Sequence, residues 1–301
     1  MKVVVALGGN ALLKRGEPLE AEVQRANIAR AADAVAVLAR AHSIVVTHGN
    51  GPQVGLLAMQ SEALEGIAPY PLDILDAESE GMIGYLIEQA MENRLPKRQV
   101  VTLLTQVEVS RDDPAFANPT KPIGPSFGAA EARRLEGSRG WKMARDGERW
   151  RRVVPSPQPR HILELPAIRL LLSTGAIVIC TGGGGIPVEI LPSGAIRGVE
   201  AVIDKDFAAA LLARELGADA LLLLTDADAV YLGWGTPQAR PLLGATSPAQ
   251  LRRHAFPPGS MQPKVEAACR FVESGGRMAG IGRLEDAADI LDGRRGTIVT
   301  L

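Results

Sequence analysis

The chain has 301 residues, 46% hydrophobic and 22% charged, with a formal net charge of −1. It is long enough to bury a substantial core without disulfide or metal staples, as one large domain or two modest ones. Near-neutral charge, basic runs no longer than pairs such as Arg151-Arg152 or Arg294-Arg295, and no apolar stretch of roughly 18 residues argue against nucleic-acid or membrane-spanning functions.

Strand-like apolar runs alternate with helical patterns, which predicts βαβ units and a mainly parallel sheet. The first run, Val3 to Leu7 within a strand over 2–7, ends in Gly8-Gly9-Asn10. These residues admit two readings, a phosphate cradle or a tight strand-to-helix turn; neither the Walker A spacing nor G-x-G-x-x-G is present. A helix over 21–41 carries Val23, Ala26, Asn27, Ala31, Ala34, Val35 and Leu38 at helical spacing. A strand over 43–47 opens into His48-Gly49-Asn50-Gly51-Pro52-Gln53-Val54-Gly55. Its glycines, amides and helix-starting proline offer several N–H donors to a small oxyanion, the alternative being a cramped turn capped by Asn50. His48 reads as a loop hydrogen-bonding group rather than a general base. Helices follow over about 52–64 and 73–93, then a strand over 99–105.

Between about Arg111 and Pro159 the alternation stops, and seven prolines and several charges replace the aliphatic pattern. A structureless loop of that length is out of place in a compact domain, so a protruding subdomain or lid with its own short strands is expected. Within it, Pro119 and Pro122 restrict the backbone around Lys121, which is either incidental or deliberately presented to an anion. Only seven of the 33 basic residues are lysines, so a lysine marks a place where a compact ammonium is wanted.

Alternation resumes with a helix over 162–173 and a strand over 176–181 that runs into Gly182-Gly183-Gly184-Gly185. Pro187–Leu191 and Ala195–Gly198, around Pro192-Ser193-Gly194, read as a β-hairpin. A helix over 205–216 opens with Asp204-Lys205-Asp206. Asp204 suits an N-cap, but a lysine there opposes the helix dipole, which makes Lys205 the informative residue. Asp206 is placed to orient lysines or to help hold a metal. A strand over 219–225 leads into Thr225-Asp226-Ala227-Asp228, and Lys264 again puts an ammonium at a helix start, over 261–274. A strand over 277–281, a helix over 284–291 and a strand over 296–300 end the series. Four loops thus fall at carboxyl ends of strands, the edge where open parallel sheets bind ligands; with three oddly placed lysines they point to phosphate handling. Cys180 and Cys269 are expected as buried reduced thiols in a cytoplasmic protein, and the charged residue and short strand after Met1 imply no signal peptide.

The motifs resemble the amino acid kinase family and, within it, the carbamate kinase branch, nearly end to end. The resemblance is carried by Ala6–Leu12, His48–Gly55, Pro119–Pro125, Arg152–Pro157, Gly182–Pro187, Gly198–Asp206, Leu224–Tyr231 and Lys264–Ala268. The segments Pro119-Thr120-Lys121-Pro122-Ile123-Gly124-Pro125 and Arg152-Val153-Val154-Pro155-Ser156-Pro157 are specific to that branch; the glycine loops indicate only the wider family. The resemblance implies a three-layer αβα open sandwich with a mainly parallel central sheet and a small protruding subdomain over 111–159, assembled as a homodimer. It implies reversible Mg²⁺-dependent transfer between ATP and carbamate, giving ADP and carbamoyl phosphate by direct in-line transfer.

The same resemblance implies residue roles. Gly8, Gly9 and Asn10 would face the transferred phosphoryl group, and Gly49, Asn50 and Gly51 would hold the carbamoyl end. Lys121 would reach over from the subdomain, Lys205 would stabilise the phosphoryl group in flight, and Lys264 would contact nucleotide phosphates. Asp206 would orient the lysines; the protein ligands of Mg²⁺ stay open, the ion being carried on the nucleotide phosphates of ATP or ADP with Asp206 as an alternative contact. Gly182, Gly183, Thr225, Asp226 and Tyr231 would border the nucleotide. Two features depart from the family pattern: Gln262 stands where glycine is expected before Pro263-Lys264, and Trp141–Trp150 lacks the usual Gly-Arg-Gly-Tyr run. Two rivals are a sister kinase acting on another small carboxylate or phosphate, and a nucleotide-binding regulatory module without turnover. The three lysines argue against the second.

Overall fold

The computed structural model describes residues 1–301 except Arg15, Glu65 and Pro258, and only the backbone of Asn10 and Ala11. Its frame is an eight-stranded sheet in the order Gly244–Thr246, Thr297–Val299, Met278–Arg283, Ala220–Thr225, Lys2–Leu7, Ser43–His48, Ile177–Ile179 and Val100–Thr102. Neighbours are parallel except where Thr297–Val299 meets Met278–Arg283. A parallel strand covered on both faces needs apolar residues on both, and the runs Val3–Leu7 and Leu221–Leu224 supply them, fully shielded from solvent.

Side-chain alternation sorts these runs into two cores. Val4, Ala6, Val45, Leu221 and Leu223 pack under the helices Leu165–Ser173, Lys205–Leu216 and Met261–Glu273. Val3, Val5, Leu7, Ile44, Val46, Leu222 and Leu224 pack under Ala21–Ala39 and Leu72–Glu92 on the other face. The result is the three-layer αβα sandwich. Among the described residues no helix is long and apolar enough to cross a membrane, and both cysteines are free and buried.

Within the 111–159 stretch lies a three-stranded antiparallel sheet of Lys121–Phe127, Arg149–Val154 and Lys142–Asp146. The helix Ala129–Arg139 beside it is an addition to the expected strands. It buries only Ala132 and Leu135, an apolar stripe too thin for periodicity to register. Phe116, earlier in the stretch, packs on the large core instead. A separate small core of Val54, Ala58, Leu72, Leu75, Ile123, Val154 and Val202 seats the small sheet on the helices Gly51–Ala63 and Leu72–Glu92. A Cβ on Gly55 would lie 1.9 Å from Gly124 Cα, so glycine is what lets these two backbones meet.

Several expected elements change at their ends. The strand over 99–105 stops at Thr102, and the chain crosses into a four-stranded sheet in the order Ile196–Gly198, Ile186–Ile190, Gln106–Glu108 and His161–Ile162. The expected hairpin forms the outer pair of that sheet. The helix expected from 162 begins at Leu165, because His161 and Ile162 pair with Glu108 and Val107. The helix over 284–291 divides into a 3₁₀ turn at Leu284–Asp286 and the helix Ala287–Leu291. Gln262 leaves the entry to its helix intact: it is exposed in the first turn and its N–H donates to the Pro257 carbonyl at 3.1 Å.

Candidate active site

The strands Ala220–Thr225, Lys2–Leu7, Ser43–His48 and Ile177–Ile179 are adjacent and parallel, so their carboxyl ends share one edge. The loops there are tied together, with Gly8 N–H donating to Leu224 O at 2.9 Å and Gly49 N–H to Leu7 O at 3.1 Å. A Cβ on Gly49 would stand 3.3 Å from Lys205 Cδ and 3.4 Å from Gly9 N. Gly9, Gly49 and Lys205 therefore close around one small space. The side chain of Asn10, expected beside them, lies outside the described residues.

The helix Lys205–Leu216 starts at this edge, capped by Asp204, whose Oδ1 accepts the Asp206 N–H at 2.9 Å. Lys205 Nζ donates to Asp206 Oδ1 at 2.5 Å, and Lys264 Nζ, from the first turn of Met261–Glu273, donates to Asp206 Oδ2 at 3.1 Å. All three side chains are buried. An ammonium at either helix start opposes the dipole, and Asp206 offsets both. Burial pulls the Lys205 ammonium down to about 8 against the attraction of Asp206. Burial alone would raise the Asp206 carboxyl, yet the two ammonium ions hold it well below the usual carboxylate range. Lys264 is likewise pushed down by burial, but Asp206 carries it above its ordinary value. Lys121, which opens the strand Lys121–Phe127 of the small sheet, donates instead to Asp204 Oδ2 at 2.5 Å.

This set has two ammonium ions on one carboxylate, a local excess of positive charge in a site of low dielectric, which suits a polyanion. Both Asp206 oxygens are engaged by lysines, an arrangement unlike that of a metal ligand. Among the described residues no cluster of three or more His, Cys, Asp or Glu side chains could hold a metal ion.

Behind the loops lies a polar layer that the sequence reading missed. The helix Leu72–Glu92 buries Asp76, Ser79 and Glu80 on its inner face, among Leu72, Leu75 and Ile83. Polar residues at the spacing of a buried apolar stripe are the signal that could have revealed them. Glu80 accepts Gly182 N–H at 2.7 Å and Thr105 N–H at 3.2 Å, and burial raises its carboxyl to about 8. His48 is fully buried; burial lowers it to about 4, so it is neutral at physiological pH. Gly182 and Gly183 pack on this layer, a Cβ on Gly182 falling 2.4 Å from the His48 ring. Thr225 ends the strand that pairs with Lys2–Leu7, and Asp226 and Tyr231 follow it, the Thr225 hydroxyl donating to Asp226 Oδ1 at 3.0 Å. Tyr231 stands edge-on to exposed Trp234 with ring centroids 5.4 Å apart.

The family model for the amino acid kinase family matches residues 1–281. The chain is similar to the carbamate kinase of Rhizobium meliloti, at 56% identity over 303 residues, spanning 100% of this chain and 93% of the relative. Among solved structures it resembles the carbamate kinase from Giardia lamblia bound to citric acid, with a TM-score of 0.93 and 38% identity over 99% of this chain and 98% of the other. The same Giardia enzyme bound to AMP-PNP gives a TM-score of 0.89 and 39% identity, again over 99% and 98% of the two chains.

Proposed function

The chain belongs to the amino acid kinase family, in its carbamate kinase branch, a phosphotransferase acting on carbamate, and from that premise we propose a reversible, Mg²⁺-dependent, direct in-line transfer between ATP and carbamate. A carbamate oxygen forms its bond to the γ-phosphorus as the bond from that phosphorus to the ADP oxygen breaks. Run backwards, ADP takes the phosphoryl group of carbamoyl phosphate and carbamate leaves. The nucleophilic oxygen is already anionic in either direction, so no general base is needed, in keeping with the neutral, buried His48.

The observation that carries the reading is the buried Asp206 joining Lys205 and Lys264 beside Gly9 and Gly49. Phosphoryl transfer spreads negative charge over the equatorial oxygens, and catalysis consists mostly of positioning and charge stabilisation. Lys205 meets the phosphoryl group in flight, Lys264 the nucleotide phosphates, and Asp206 fixes both ammonium ions. Gly8, Gly9 and Asn10 face the phosphoryl group, and Gly49, Asn50 and Gly51 hold the carbamoyl end. Lys121 exchanges Asp204 for a substrate oxygen when the 111–159 subdomain closes as a lid. Gly182, Gly183, Thr225, Asp226 and Tyr231 border the nucleotide. Mg²⁺ enters as part of the substrate, on the nucleotide phosphates, while both Asp206 oxygens stay engaged by lysines.

A homodimer is supported by Ile74, Met82 and Tyr85, exposed apolar residues at helical spacing on Leu72–Glu92, and by exposed Leu104. The proposed setting is the cytoplasm, making ATP from carbamoyl phosphate in arginine or related nitrogen catabolism. The test is coupled ATP formation from ADP and carbamoyl phosphate, with and without Mg²⁺. Rapid Mg²⁺-dependent ATP production is the expected result. Folded, ADP-binding protein that makes none would redirect the assignment to a sister kinase or a silent sensor.

A further inference from the structure

Asn50 is held by neighbours that the transfer itself does not use. Its Nδ2 donates to Asp76 Oδ1 at 2.9 Å and to Ser79 Oγ at 2.9 Å. Those two bonds use both N–H groups of the amide. The amide could be turned around only if its neighbours donated in their turn. Burial raises the Asp76 carboxyl, so that neighbour can hold a proton and donate, but Ser79 gives its proton to the Asp76 backbone carbonyl at 3.0 Å, and a turned amide would set oxygen against oxygen there. Asp76 and Ser79 are both buried, so the constraint operates out of contact with solvent. Gly183 closes a further side: a Cβ there would lie 2.2 Å from Asn50 Nδ2 and 2.7 Å from Oδ1. Among the described residues no donor is assigned to Asn50 Oδ1. The side chain can therefore offer a ligand an acceptor and nothing else.

We propose that Ser79 and Asp76 are positioning residues that present Asn50 Oδ1 as a fixed acceptor for the amino group of carbamate and carbamoyl phosphate. The inference rests on the reading of Gly49–Gly51 as the carbamoyl subsite. Carbamoyl and acetyl groups have nearly the same size and shape, but the amino group donates and the methyl group does not. An acceptor left facing a methyl group loses its solvent partner and gains none, so the site discriminates against acetyl phosphate. A turned amide would abolish that discrimination, which is why its orientation is enforced from behind.

The test compares kcat/KM for carbamoyl phosphate and for acetyl phosphate, each with ADP, in the parent, Ser79→Ala, Ser79→Thr and Asp76→Asn. The ratio is expected to fall about tenfold in Ser79→Ala and Asp76→Asn, chiefly through loss of carbamoyl phosphate turnover. Ser79→Thr, which keeps the hydroxyl, restores it. A merely structural role would lower both substrates by the same factor, and that result, like an unchanged ratio, overturns the proposal. Thermal melting verifies each fold; Ser79→Ala removes a single oxygen and keeps the test decisive if Asp76→Asn does not fold. A parent that cannot use carbamoyl phosphate removes the functional reading and this inference together, whereas an active parent with ratio-neutral variants removes this inference alone.

Discussion

The ion set around Asp206 and the seam beneath the small 121–154 sheet draw on similar charged residues and use them in opposite ways. Around Asp206 the charges are buried, few and held by two helices of the main body. At the seam, two guanidinium groups approach the Trp141 ring, Arg152 at 4.6 Å and Arg139 at 5.4 Å from its centroid. Glu62, on the helix Gly51–Ala63, accepts from Arg139 and, at 3.0 Å, from Trp141 Nε1. These contacts are partly exposed and rest on a small core, so each is weakened by solvent and can be exchanged. The buried set is preorganised, and breaking it strands a charge; the seam is adjustable. Lys121, paired with Asp204, is the point where the two regions touch.

That contrast can be broken first at Asp206. Asp206→Ala leaves two buried ammonium ions without a counter-ion, and the expected loss is about 3–5 kcal/mol of stability together with turnover. Urea unfolding measures it, and a loss no larger than that of a surface ion pair would mean that the set is not truly buried. Gly55→Ala attacks the seam, since the new Cβ would overlap Gly124 Cα. The expected cost is about 1–3 kcal/mol from overpacking, with the small sheet loosened while the αβα body keeps its fold. Hydrogen exchange should show the added opening confined to 121–154; uniform opening would mean that the sheet is not separately seated.

Two smaller effects sharpen the comparison through pH. Glu80 titrates near 8 in the folded chain against an ordinary value of 4.5, because burial raises it. The folded state keeps the proton across that window, so the stability this group contributes is full below about 4.5 and is lost as pH rises through about 8. Glu80→Gln removes that slope; an unaltered slope in urea unfolding from acid to alkaline pH would place its origin elsewhere. Lys205, lowered to about 8 by burial, should make kcat/KM for ADP fall as pH rises through that value. Lys205→Arg, which does not titrate there, should lose this limb whatever its absolute rate. A persisting limb would assign it to another group.

How much was legible in the sequence differs between the same two regions. Helix 205–216 could be read from its Asp204 cap, and the structure ends it at Gly217, whose φ of +59° stops the helix. Lys205 and Lys264 stood out because each opposes a helix dipole, a local anomaly visible without coordinates. Asp206 was readable as a group that orients lysines, but that Lys205 and Lys264 share it emerged only from the fold. Asp76, Ser79 and Glu80 were overlooked although they share the spacing of Leu72, Leu75 and Ile83, because a polar side chain on a long helix is read as solvated unless that spacing is weighed. The pairing of Lys121 with Asp204 spans 83 positions, a distance over which spacing carries no information. The glycines at 182–183 looked like an anion cradle from composition, and their contacts with His48 and Asn50 add a packing reason that composition could not supply.

The most direct measurement is the rate of ATP formation from ADP and carbamoyl phosphate by Lys205→Ala beside the parent, in preparations that melt alike. With the buried ammonium serving the phosphoryl group in flight, kcat should drop by about 10²–10³ while the fold is retained. Parental turnover in a folded Lys205→Ala chain would contradict the account at its centre.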